Sequence, residues 1–235
     1  YGGTDHFSKH VLDRFGIELM EFSATDHVDD IRKRLDASGK AHKLGLIHIE
    51  TPANPTNAMI DLRAMADLAK SYSTDERKVI TAVDNTYMGP LWQHPLKHGA
   101  DLVVYSATKY IGGHSDLIAG AVLGSKELMT RVKTLRTFLG NMTSPYTGWL
   151  LMRSLETLKV RMDQQAANAE KIAEFLHAHP SVETVYLPGI QRRSDKELDA
   201  LMKRQCSTNG AMISFDVKGG EDEAFKFLNS LNLIK

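Results

Sequence analysis

The chain has 235 residues, 42% of them hydrophobic and 25% charged, an ordinary globular composition. Its 29 Lys and Arg balance 29 Asp and Glu, so no bulk charge draws it to nucleic acid or anionic lipid, and neither is expected as a partner. The single cysteine, Cys206, excludes an internal disulfide and points to a reducing compartment, the cytoplasm, while no apolar run reaches the roughly 18 residues of a membrane span.

The chain opens on Tyr1-Gly2-Gly3-Thr4, without a Met or a signal-like segment, and stops in the apolar stretch Leu231-Asn232-Leu233-Ile234-Lys235, which reads as a strand just beginning. It is therefore expected to be an internal piece of a longer protein. Phe7, Val11, Leu12 and Phe15 recur at helical spacing before Gly16, which predicts a helix over Thr4 to Phe15. Ile17 to Phe22 reads as a short strand. Thr25 or Asp26 can cap a helix through Leu35 that closes near Gly39. Leu44 to Ile49 is brief and apolar, as a buried parallel strand is. Asp61 opens a helix with Leu62, Met65, Leu68 and Ala69 on one face. Val79 to Val83, Leu102 to Tyr105 and Ile118 to Leu123 are further strands. This alternation argues for an α/β fold, a mostly parallel sheet between helical layers.

Beyond it, Glu127 to Leu139 reads as a helix. Pro145 to about Ala178 holds one Gly and no internal Pro, and an unbroken helix of that length spans about 50 Å. A break near Gly148 or Arg161 is the alternative. Val182 to Leu187, a helix around Leu198 to Gln205, Ala211 to Val217 and a helix from Asp222 to Leu231 follow, the pattern of a small α/β domain. The expected boundaries are a large domain over 1–145, a connecting helix over 146–180 and the start of a small domain over 181–235.

Three of the predicted strands release polar residues at their carboxyl ends. The first ends in Glu50-Thr51-Pro52-Ala53-Asn54-Pro55, the second in Asp84-Asn85, the third in Ser106-Ala107-Thr108-Lys109. In open α/β sheets ligands bind at that edge. A lysine there, near apolar walls, is a usable nucleophile or base. Taken singly, Asp84 reads as a turn or cap, Lys109 as a solvated lysine and Asn54-Pro55 as a turn signal. Together they bring an acid, an amine and two hydroxyls to one edge. His94 and His98 are separated by Pro95, which breaks the helix that would present both, so no metal site is expected.

Asp84-Asn85-Thr86, Tyr105-Ser106-Ala107-Thr108-Lys109-Tyr110 and Gly113-His114-Ser115-Asp116 resemble the cofactor-lysine region of the Cys/Met metabolism family of pyridoxal phosphate enzymes. Glu50 to Pro55, Tyr1 to Thr4, Ser154 to Met162, Tyr186 to Gly189 and Gly210 to Phe215 are similar to further motifs of that family, in order. The resemblance implies an aspartate-aminotransferase-like (fold type I) architecture. A mostly parallel seven-stranded sheet forms the large pyridoxal-phosphate domain, and a small α/β C-terminal domain follows. It implies that Lys109 holds pyridoxal 5'-phosphate covalently and then moves protons on the substrate. Asp84 would pair with the pyridine nitrogen, Asn54 with the phenolic oxygen, and Ser106 and Thr108 with the phosphate. Tyr1 would stack on the ring and assist proton transfer. The family's phosphate loop and a Tyr and Arg lent by a neighbouring subunit belong before Tyr1, and its substrate-carboxylate arginine after Lys235. The implied partners are a small amino-acid substrate and other copies of the chain, as homodimer pairs sharing active sites within a homotetramer.

The implied chemistry is γ-elimination or γ-replacement on a sulfur-containing amino acid or acylhomoserine. Gly3 stands where methionine γ-lyases commonly carry Cys, which tilts the reading to cystathionine γ-synthase or γ-lyase. Ala53 to Pro55 and Leu150 to Ser154 are methionine γ-lyase-like. β-Elimination, transamination on the same fold and a non-catalytic scaffold are the remaining alternatives.

Overall fold

The computed structural model describes residues 1–234. The helix expected over Thr4 to Phe15 is split: α1 (Gly2–His10) holds Phe7 alone of the four apolar residues, and a 3₁₀ turn over Leu12–Phe15 leads to Gly16. Gly16 has φ 73°, the left-handed conformation that ends a helix. The strand expected over Ile17 to Phe22 does not form. The segment meets no partner strand among the described residues, and apolar residues without a ladder leave backbone groups to water. The next helix, α2 (Val28–Ala37), is capped neither by Thr25 nor by Asp26. His27 Nδ1 accepts from the Asp29 amide at 3.3 Å instead.

β1 (Leu46–Glu50) follows, then α3 (Leu62–Ser71), whose cap Asp61 accepts from the Arg63 and Ala64 amides. β2 (Ile80–Asp84) leads into the short helix α4 (Gly89–Trp92), and β3 (Leu102–Ser106) and β4 (Gly120–Gly124) complete one sheet. Its order is β1-β2-β3-β4. The first three strands run parallel, with Glu50 level with Asp84 and Asp84 level with Val104. β4 is antiparallel and sets Gly120 beside Ser106. Glu50, Asp84 and Ser106 therefore end on one edge, where β4 begins. The sheet is mixed and mostly parallel, and the described residues give it four strands.

On one face of the sheet, Ile47, Ile49 and Val83 pack against Ile31 of α2 and Leu62, Met65 and Leu68 of α3. Burying side chains of that size stabilises by about 1.5–3 kcal/mol each. The central strand β2 buries Thr81, Ala82 and Val83 in succession, as a strand covered on both faces does.

α5 (Lys126–Leu139) and α6 (Pro145–Leu155) start on the serine caps Ser125 and Ser144. The single long helix expected from Pro145 onward is broken at Glu156 and Thr157, and α7 (Leu158–Ala178) starts after the break. At 21 residues α7 spans about 32 Å. Its first turns bury Leu158 and Met162 against Met88, Trp92 and Tyr110, and its later turns bury Ala173 against Val185, Leu187 and Ile190.

These last three belong to the C-terminal unit: β5 (Val182–Tyr186), α8 (Pro188–Gln191), α9 (Lys196–Gln205), β6 (Ser214–Val217) and α10 (Glu221–Ser230). β5 and β6 pair antiparallel as a separate two-stranded sheet. Leu231 to Ile234 form no strand, and Lys235, the end of that expected strand, lies outside the described residues. No helix among the described residues is long and apolar enough to cross a membrane.

Candidate active site

The carboxyl edge of β1, β2 and β3 collects the predicted residues through short polar links. Asp84 closes β2, and its Oδ1 accepts from the Thr86 amide at 3.0 Å and the Thr86 hydroxyl at 2.6 Å. This is an Asx turn, favoured by Asp two residues before its donor. The same Thr86 hydroxyl accepts from the Ser106 amide at 2.8 Å. Thr86 thus ties the end of β2 to the end of β3. It leaves Asp84 Oδ2 without a protein partner among the described residues.

Ser106 in turn begins the turn that presents Lys109. Its carbonyl accepts from the Lys109 amide at 3.1 Å, and the Lys109 carbonyl accepts from the Gly113 amide at 2.7 Å. Lys109 is exposed rather than walled by apolar side chains, a departure from the enclosure its position suggests. Its turn faces an open cavity of about 970 Å³, lined also by Thr86, Thr108, Ser115, Tyr146 and Gln165. Thr108 exchanges hydrogen bonds with the backbone of Ala119, accepting at 3.0 Å and donating at 3.3 Å.

On the β1 side, Glu50 stands level with Asp84. Its Oε1 accepts from the Asn54 amide at 2.9 Å. Glu50 therefore joins Asn54 to the strand end beside Asp84. A Cβ at Gly3 would stand 2.6 Å from Cε1 of the Tyr1 ring, so the ring occupies the space a side chain at position 3 would need. Tyr87 borders the same edge. Burial raises its phenol above the usual range, and the negative charges of Glu50 and Asp84 add to that.

The Asn54 turn is held from the C-terminal unit. Buried Asn57 donates its side-chain amide to the Tyr186 carbonyl at 2.7 Å and the Met212 carbonyl at 2.8 Å. Ser214 donates its hydroxyl to the Pro55 carbonyl at 2.5 Å. Asn57 has φ 55°, which Asn tolerates better than other residues with a Cβ.

The six predicted residues lie along or near one edge, and the cavity takes in only part of the set. Lys109 and Thr108 line the cavity, whereas Asp84, Asn54, Ser106 and Tyr1 do not. Glu50 and Thr86 are the connecting residues that sequence reasoning left without a role. Thr86 carried a local signal, its spacing from Asp84. Glu50 carried a weaker one, its spacing of four residues from Asn54 in the same segment.

The family described as Cys/Met metabolism PLP-dependent enzyme matches residues 1–235. The chain belongs to this family. L-methionine gamma-lyase of Porphyromonas gingivalis is 40% identical over 235 residues, 99% of this chain and 56% of that protein. Cystathionine gamma-lyase of Bacillus subtilis is 42% identical over 234 residues, 99% of this chain and 58% of that protein. Cystathionine gamma synthase from Xanthomonas oryzae pv. oryzae, solved in complex with cystathionine, superposes with a TM-score of 0.87 at 36% identity and covers 100% of this chain and 57% of that one. The chain thus spans somewhat over half the length of the relatives it matches. Pyridoxal phosphate is the cofactor of the family. The donor set fits that group: an unpartnered carboxylate oxygen on Asp84, an exposed amine on Lys109, and the hydroxyls of Ser106 and Thr108 lie on adjoining strand ends.

Proposed function

We propose that the protein is a pyridoxal-phosphate enzyme that carries out γ-elimination or γ-replacement on a sulfur-containing amino acid or an acylhomoserine. The observation that carries this reading is the Thr86 bridge, which puts the Asp84 carboxylate and the Lys109 turn on adjacent strand ends. Lys109 would bind the cofactor covalently through its amine and afterwards carry protons to and from the substrate carbons. Asp84 Oδ2 would hold a proton on the pyridine nitrogen by charge complementarity. When bound, pyridoxal phosphate supplies the electron sink that stabilises negative charge on the substrate α-carbon. Asn54 would donate to the phenolic oxygen and Ser106 to the phosphate. Thr108 would join Ser106 by giving up its 3.3 Å bond to Ala119. Tyr1 would lie over the ring and assist proton transfer there.

Two hydroxyls poorly compensate a phosphate dianion, which supports shared sites between copies of the chain, in dimer pairs and a homotetramer. The four described strands would belong to a seven-stranded fold type I sheet. The large domain would cover 1–145, the connecting helical segment 146–180 and the small C-terminal domain 181–235. The single, partly buried Cys206 supports a cytoplasmic setting.

Within the family, Gly3 standing where methionine γ-lyases commonly carry Cys supports cystathionine γ-synthase or γ-lyase chemistry. The 40% identity to L-methionine gamma-lyase keeps methionine cleavage as the second reading. The full-length protein should absorb in the visible, and borohydride should fix the cofactor to the peptide containing Lys109. Label on another lysine refutes the assignment. Thiol release from methionine or cystathionine, against thiol consumption with an acylhomoserine and cysteine, separates the reactions.

A further inference from the structure

Arg161 opens α7 and takes no part in the site described above, yet its guanidinium reaches the Lys109 turn. Nη1 donates to the Tyr110 carbonyl at 2.8 Å, Nη2 to the Ser154 carbonyl at 2.8 Å, and Nε to the Thr157 hydroxyl at 3.1 Å. Tyr110 follows Lys109 directly, and Ser154 lies in the last turn of α6. One side chain thus joins the turn that presents Lys109 to the break between α6 and α7. All three acceptors are neutral, and Arg161 forms no ion pair among the described residues, so charge pairing does not account for its place. The planar fork does: it holds three donor nitrogens at fixed spacing, each on its own acceptor.

Gly113 supplies the second observation. It closes the same turn, donating its amide to the Lys109 carbonyl at 2.7 Å, and it has φ 74°. A Cβ at this position would collide with the Arg161 guanidinium. The turn leaves room for that group, with glycine where the guanidinium lies against the backbone.

We infer that Arg161 is a positioning residue for Lys109: its guanidinium clamps the Tyr110 carbonyl and so fixes the direction in which the Lys109 amine leaves the turn. The inference rests on the assignment of Lys109 as the cofactor lysine. A small change in that direction matters, because reacting groups misplaced by about 1 Å lose on the order of 10²-fold in rate.

The test uses the full-length protein with cofactor and three variants, Arg161→Gln, Arg161→Lys and Gly113→Ala. The readouts are the pH midpoint of the visible absorbance, the rate of borohydride trapping at Lys109, and kcat and KM taken separately. Arg161→Gln should lower kcat about tenfold or more with KM changed less than about threefold, and should shift both the midpoint and the trapping rate. Arg161→Lys should not rescue, since an ammonium keeps the charge but not the fork. Gly113→Ala should show at least the Arg161→Gln phenotype, since its Cβ displaces the guanidinium and strains the turn at φ 74°. A wild-type midpoint and trapping rate in Arg161→Gln, or full rescue by Arg161→Lys, overturns the clamp while leaving the Lys109 assignment intact. Should Arg161→Gln fail to fold, Gly113→Ala decides: wild-type spectra and trapping there overturn the clamp. Label on a lysine other than Lys109 overturns both the assignment and the clamp.

Discussion

Two turns bring side chains to the same sheet edge, and they are braced in different ways. The Asp84 and Lys109 turns are held by strand register and the Thr86 hydroxyl within the sheet, and by the Arg161 fork from the start of α7. The Asn54 turn is held from the C-terminal unit, through the Asn57 amide and the Ser214 hydroxyl. The first arrangement ties an acid and an amine to the most buried strands of the molecule, so their spacing is set by the core. The second makes the placement of Asn54 depend on how β5 and the segment before β6 sit against the sheet. The chemistry proposed for Asp84 and Lys109 is therefore built into the sheet, while the contribution of Asn54 is coupled to the smaller unit.

The largest effect should come from the sheet-held side. Asp84→Asn keeps the shape and the bonds a carbonyl oxygen can accept, but removes the charge. Turnover should fall by roughly 10²–10⁴-fold, the scale of a lost electrostatic or acid–base partner, with the fold unchanged by circular dichroism. Near-wild-type turnover would break the assignment of the ring nitrogen to Asp84.

The cross-unit side should show first as stability. Asn57→Gly keeps the left-handed backbone but removes the amide that the part-buried carbonyls of Tyr186 and Met212 accept from. The cost should be about 1–3 kcal/mol, read as an earlier denaturant midpoint, with hydrogen exchange rising around Tyr186 and Met212 before it rises in β2. Uniform loss of protection across both regions would show that the two turns are not braced separately.

The smallest effect concerns the seam itself. Cys206 donates to Gln93 Oε1 at 3.2 Å, and Gln93 donates to the Thr51 carbonyl at the start of the Asn54 segment. Burial pushes the Cys206 thiol up to about 12 from 9.0. Between about pH 9 and 12 the folded chain keeps a proton that the unfolded chain releases. This stabilisation is complete below pH 9 and is lost as pH rises through the folded value. Cys206→Ala should therefore flatten the decline of unfolding free energy between pH 9 and 11. An unchanged slope would show that the thiol is as free to ionise in the folded chain as in the unfolded one.

Much of this architecture was legible as local pattern. β2 and β3 read as strands because their apolar runs are short, and α3 announced itself through Asp61 and an apolar face. The site was legible because Asp84, Ser106 and Lys109 follow buried strands directly, within a family's motifs. What remained hidden depends on partners distant in the chain. Ile17 to Phe22 has a strand's composition but no strand beside it, and a ladder needs two sides. A break near Arg161 was one of two alternatives in the sequence; that it falls at Glu156 and Thr157, with Arg161 holding the Ser154 carbonyl it frees, was not legible. Asn57 and Arg161 act across separations of up to 155 residues. Periodicity over a window reports which face is buried; it carries no record of which distant carbonyl a buried amide or guanidinium will meet, because that choice is made only when the units pack.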